Sequence, residues 1–146
     1  MKKNATGYQN TLAQRIELSG VGVHSGKSVS ITLHPADADT GIIFQRTDVP
    51  EVQQIDIPAL ISSIGATDLC TVLGEQTGVH VMTVEHLMAA LVALHVDNVL
   101  IEVDSAEIPV MDGSSEIFVE MIDQAGLVRQ SSPRRCLRVL RGGRFE

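Results

Sequence analysis

The stretch Thr83-Val84-Glu85-His86-Leu87-Met88-Ala89-Ala90-Leu91-Val92-Ala93-Leu94 marks the point at which the chain changes period. Upstream, apolar residues alternate with polar ones, as in Val29-Ser30-Ile31-Thr32-Leu33, the pattern of a half-buried strand. Within the stretch they fall instead at Val84, Leu87, Met88, Leu91 and Val92, the stripe of a helix. Thr83 stands where a side-chain oxygen can cap the first turn, and Asp97-Asn98 breaks the pattern, which predicts a helix over about 84–94. The opposite side carries His86, Ala89, Ala90 and Ala93. Small apolar residues suit close packing, so that side is predicted to be covered by another element.

Upstream, Leu12 to Leu18 alternates, with Leu12, Gln14, Ile16 and Leu18 on one side if extended. Ser19-Gly20-Val21-Gly22 reads as a turn or bulge, and His24-Ser25-Gly26-Lys27 connects it to Val29–Leu33, a hairpin with His24 at its connection. Gly41 to Phe44, Leu60 to Ile64 and Leu69 to Leu73 are further predicted strands. Downstream, Val99 to Val103 reads as a buried strand and Asp112-Gly113 as a turn. Ile117, Phe118, Met121, Ile122 and Ala125 form the stripe of a second helix, capped by Ser114 or Ser115 and stopped by Gly126, with a short strand after it at Leu137–Leu140. The order predicts an α+β fold, a mixed or antiparallel sheet of about five strands with two helices packed on one face. Residues 1–8 are polar and expected to be disordered, and the domain is expected to span 9–130.

The 146 residues carry 18 acidic and 11 basic side chains, a net charge of −7, and 44% are hydrophobic, which fits one packed domain. This balance removes the usual electrostatic drive toward nucleic acid or anionic membrane, so no nucleic-acid partner is expected. Aromatic residues make up 3%, too few for widespread stacking on bases or sugars. Cys70 and Cys136 lie far apart and outside any CxxC pattern, which points to free thiols in a reducing compartment. Polar residues follow Met1-Lys2-Lys3, and the longest apolar run, Leu87 to Leu94, is too short to cross a bilayer. No membrane span and a cytoplasmic location are expected.

Glu85 and His86 adjoin in the first turn of the predicted helix, the carboxylate near the positive end of its dipole. A neutral imidazole that ligates zinc, beside a carboxylate that takes a proton from attacking water, is the pairing a zinc hydrolase needs. The same dipeptide is ordinarily a dipole partner next to a solvated or core histidine. None of His24, His34, His80 and His95 stands four residues from His86, and no HExxH or Cys/His cluster is present. A catalytic zinc takes about three protein ligands, and His24 with His86 makes two, so this chain alone is not expected to hold zinc tightly. Gly20 to Lys27 departs from GxxxxGK[ST] and precedes a strand, which excludes a phosphate loop. Cys70, in an apolar run without a local histidine, reads as a small buried hydrophobe.

Gly20-Val21-Gly22-Val23-His24-Ser25-Gly26-Lys27, Thr83-Val84-Glu85-His86-Leu87 and Glu107-Ile108-Pro109-Val110-Met111-Asp112-Gly113-Ser114 occur in this order, with Asn98-Val99-Leu100-Ile101-Glu102-Val103 between the last two. Together they resemble the UDP-3-O-acyl-N-acetylglucosamine deacetylase family (LpxC), the zinc amidases of lipid A synthesis in Gram-negative bacteria, over roughly Gln9 to Val128. The resemblance implies a sheet of about five strands with two helices, repeated in a second domain whose helices pack against the first pair. It implies His86 as the one Zn2+ ligand from this half, Glu85 as general base, and His24, Leu69 and Cys70 as substrate-binding residues bordering the site. The implied reaction hydrolyses the 2-acetamido group of a UDP-linked acylated sugar and releases acetate.

The family continues for about as many residues again, and that half carries the other zinc ligands, a general-acid histidine and the acyl-chain passage. Arg141 to Glu146 resembles the linker and first residues of such a second domain, so 131–146 is expected to be that linker and truncated start, and the chain by itself inactive. The competing expectation is a noncatalytic α+β module that binds a protein partner through its uncovered helix face.

Overall fold

The computed structural model describes residues 7–75, 77–135 and 142. In chain order its elements are β1 (Tyr8–Leu12), β2 (Ile16–Val21), β3 (Ser28–Pro35), β4 (Ile42–Arg46), β5 (Asp56–Pro58), β6 (Ile64–Ala66), β7 (Val72–Gly74), β8 (His80–Met82), α1 (Glu85–Ala93), β9 (Val99–Val103), α2 (Glu116–Ala125) and β10 (Leu127–Pro133). Five strands form the main sheet in the order β2-β3-β9-β4-β5. Its neighbours are antiparallel except β4 and β9, which run parallel with Phe44 opposite Ile101. A small sheet β6-β7-β8 and a ribbon β1-β10 complete the strands.

Alternation explains the sheet. Val29, Ile31 and Leu33 of β3, and Val99, Ile101 and Val103 of β9, are buried on one face, while Ser28 and Ser30 are exposed. On that buried face Phe44 and Ile57 join Leu87, Ala90 and Leu91 of α1 and Phe118 and Ile122 of α2 in one aliphatic core. The fold is the α+β arrangement expected, two helices with a five-stranded mixed sheet. At the start of α2, Ser115 takes the cap position without a side-chain bond, and it is the Ser114 hydroxyl, itself held by Asp112 Oδ1, that accepts from Glu116 N (3.0 Å). Gly126 ends it at φ 73°.

Several local expectations give way. The run Leu12–Leu18 is two strands, because Ala13 N bonds to Gly126 O (2.9 Å) and the chain turns there, leaving Gln14 exposed. β1 then pairs with β10 from Tyr8↔Pro133 to Leu12↔Leu127, so ordered pairing begins at Tyr8 and runs to Pro133. Leu60–Ile64 is a 3-10 turn over Ile61–Ser63 leading into β6, and β7 begins only at Val72. Thr83 does not cap α1. It adopts φ 59°, Val84 takes the cap position, and the Thr83 hydroxyl goes to Glu107 instead.

The roll of α1 also differs. Ala90 is fully buried, whereas Val92 is 63% exposed and Ala89 and Ala93 are exposed. A helix apolar on nearly all sides has no strong periodic signal, so packing against α2 and the sheet, not the pattern, decides which face turns inward. Cys136 and the strand predicted at 137–140 lie outside the described residues. No helix among the described residues is long and apolar enough to cross a membrane.

Candidate active site

Four segments are stitched side by side at the N-terminus of α1. Thr83 N bonds to Thr71 O (3.1 Å), Met82 N to Ala106 O (2.8 Å), Ile108 N to Met82 O (3.0 Å) and Val110 N to Val21 O (2.9 Å). A tight loop follows β2, closed by Gly22 N to Lys27 O and Gly26 N to Gly22 O, both 2.9 Å. The approach of the 107–111 segment needs a glycine on β2. A Cβ on Gly20 would stand 2.9 Å from the Pro109 Cβ, closer than side chains tolerate.

Glu85, half-buried in the first turn, accepts a hydrogen bond from Thr71 N. Its carboxylate borders an apolar groove of about 240 Å³ walled by Leu60, Ile61, Ile64, Leu73 and Met88. His86, also half-buried, follows Glu85 by one position and so leaves the axis about 100° around from it. Hydrogen bonds from the Ser114 amide and hydroxyl hold the Asp112 carboxyl below its usual range. The first turn of α1 therefore presents a carboxylate that lines the groove and, one position on, a half-buried imidazole outside its lining.

His24 is exposed on the loop between β2 and β3, and its backbone N–H donates to Glu107 Oε1 (3.0 Å). Leu69 is 94% exposed at φ 65°, and Cys70 is a half-buried free thiol, not the fully buried hydrophobe expected. Leu69 and Cys70 lead directly into Thr71, whose amide holds Glu85. The structure thus gathers the segments bearing all five predicted residues around the start of α1. Among the described residues no three of His, Cys, Asp and Glu are grouped as a metal site. A half-exposed imidazole such as that of His86 is one donor where a zinc site takes about three protein ligands.

Two further residues at this mouth carry no signature of their role in the sequence. Thr71 acts through its backbone, which no residue type announces. Glu107 is 1% exposed. A lone carboxylate in Ala106-Glu107-Ile108-Pro109 is the signal that could have drawn attention to it. Burial alone would raise its pKa, yet hydrogen bonds from His24 N, Ser25 N and the Ser25 and Thr83 hydroxyls outweigh that and hold it below the usual range.

A family model described as LpxC, UDP-3-O-acyl N-acetylglycosamine deacetylase, matches residues 9–146. Proteins named UDP-3-O-acyl-N-acetylglucosamine deacetylase from Brucella ovis, Brucella canis and Brucella melitensis are each 48% identical over 139 residues, covering 95% of this chain and 48% of the relative. The chain therefore spans about half the length of these curated relatives. The match runs through every segment that meets at α1, and on that ground the chain belongs to the LpxC family of UDP-3-O-acyl N-acetylglycosamine deacetylases.

Proposed function

We propose that this chain supplies the N-terminal half of a zinc-dependent amidohydrolase that removes acetate from UDP-3-O-acyl-N-acetylglucosamine in lipid A biosynthesis. The observation that carries the reading is the pair Glu85 and His86, both partly exposed in the first turn of α1, with Glu85 lining an apolar groove. Glu85 is the general base: its carboxylate, oriented by Thr71 N, takes the proton of the water that attacks the acetamide carbonyl. His86 is the zinc ligand from this half, and the remaining ligands come from a second domain outside these 146 residues. Zinc, when bound, supplies Lewis-acid polarisation and lowers the pKa of water. His24, Leu69 and Cys70 border the substrate. The relatives' greater length and the exposed Ala89, Val92 and Ala93 on α1 support a second domain packing on this face. Alone, the chain is inactive. The free Cys70 thiol suits a reducing compartment, in keeping with the cytoplasm.

The test adds the second half in trans with zinc and measures acetate release. Activity that appears on mixing and disappears in Glu85→Ala supports the reading. Activity unchanged by Glu85→Ala removes Glu85 from the role. The exposed apolar strip on α1 also favours a second reading, a noncatalytic module with a protein partner. In that case mixing yields a complex but no acetate.

A further inference from the structure

We propose that Glu107 is a positioning residue of this site, holding the His24 loop in register with the first turn of α1; the inference rests on the deacetylase reading above. Both carboxylate oxygens are engaged. Oε1 accepts from His24 N (3.0 Å) and from Thr83 Oγ1 (3.1 Å), and Oε2 accepts from Ser25 N (2.9 Å). The carboxylate is thus clamped between a loop that carries one site residue and a threonine two positions before another.

Thr83 is the node of this arrangement. A β-branched residue at φ 59° is strained and persists only where its surroundings fix it. Here two bonds do so: Thr83 N to Thr71 O, on the segment that orients Glu85, and Thr83 Oγ1 to Glu107, on the residue that holds His24. The His24 loop and Glu85 are therefore joined by one continuous chain of polar contacts, and His86 follows Glu85 directly in the chain. Gly22 is part of the same fit, because a Cβ there would overlap the Glu107 carboxylate and the Ser25 hydroxyl. Stability by itself does not call for this residue. An apolar side chain of similar volume avoids the desolvation of a buried charge, whereas a carboxylate has the directional acceptors that fix a loop.

The test uses the whole zinc-loaded deacetylase, with the UDP-linked acylated sugar as substrate. Glu107→Gln keeps the volume but turns an NH2 group toward backbone N–H donors. We expect kcat per folded molecule to fall about 10- to 100-fold with KM changed less than about threefold, as for misplacement of a catalytic constellation. In the amide NMR spectrum the His24 and Ser25 protons should move upfield, a signature that a general loss of stability does not produce. Should Glu107→Gln fail to fold, Thr83→Val, which removes one donor and keeps the shape, is expected to lower kcat about 3- to 10-fold. Glu85→Gln is the control. Turnover lost in Glu85→Gln but unchanged per folded molecule in Glu107→Gln, or in Thr83→Val where that is the folded variant, overturns this inference alone. Turnover that survives in Glu85→Gln overturns the catalytic reading and this inference with it.

Discussion

The backbone N–H of Thr71 donates to the side-chain carboxylate of Glu85, so the segment leading into β7 orients the first turn of α1. A glutamine at position 85 still presents an oxygen to that N–H but cannot take a proton. Glu85→Gln is expected to lower acetate release from the assembled enzyme about 10²- to 10⁴-fold while the melting temperature stays nearly unchanged. A large loss of stability with normal specific activity would contradict this assignment.

Asn98 is the hub of a buried polar network. Its Oδ1 accepts from Gly41 N (2.8 Å), and its Nδ2 donates to Gln9 Oε1 (2.8 Å) and Gln130 Oε1 (2.7 Å), joining β1 and β10 to the main sheet. Asn98→Ala leaves several partners unsatisfied and should destabilise by about 2–3 kcal/mol. A urea titration reads this directly, and a midpoint within error of the parent contradicts it.

Phe118 of α2 is 1% exposed and is among the largest fully buried side chains of the core. Phe118→Ala is expected to cost about 3–5 kcal/mol, a large fraction of an ordinary domain's stability. Circular dichroism against temperature checks it, and a shift of only a degree or two would mean that the helix packs more loosely than described.

Two partly buried carboxylates are expected to contribute to the acid sensitivity of the fold. The bidentate bond from Arg46 holds Asp48 below the usual range, and Glu107 is held there by its four donors against the opposing effect of burial. A folded pKa below the unfolded one contributes stability that is complete above the unfolded value and is lost as pH falls through the folded value. The contribution of both groups should therefore be level between about pH 7 and pH 5 and decline below about pH 4. Glu107→Gln should flatten that decline in denaturant midpoints measured across pH. An unchanged acid limb in the variant would show that the buried charge does not couple to folding.

The exposed strip of Ala89, Val92 and Ala93 predicts that the 146-residue chain by itself self-associates at high concentration. Val92→Lys should weaken this, read as a lower weight-average mass in sedimentation velocity. A parent chain that is monomeric at every concentration would contradict it.

How far the fold was legible follows from where its physics is local. Period-2 alternation in Val29–Leu33 and the caps around Ser114 and Gly126 are written in neighbouring residues, and they appear as expected. The break at Ala13 and the roll of α1 depend on partners distant in sequence, and the 3-10 turn at Ile61–Ser63, though closed by local bonds, carries no Gly or Pro to announce it. At the site, Glu85, His86 and His24 stand out as residue types. The Thr71 amide does not, and the role of Glu107 depends on loop atoms more than 80 residues away, in contact only once the chain has folded.

The placement of β9 between β3 and β4 has a consequence for synthesis. A nascent chain that has released everything up to residue 95 exposes two half-sheets whose facing rims lack the strand that joins them. Only when Val99–Val103 emerges can the rims be zipped together, one antiparallel and one parallel. The centre of the molecule is therefore built late, and ribosome stalling before that point would leave sticky, unjoined edges for holdase chaperones to shield.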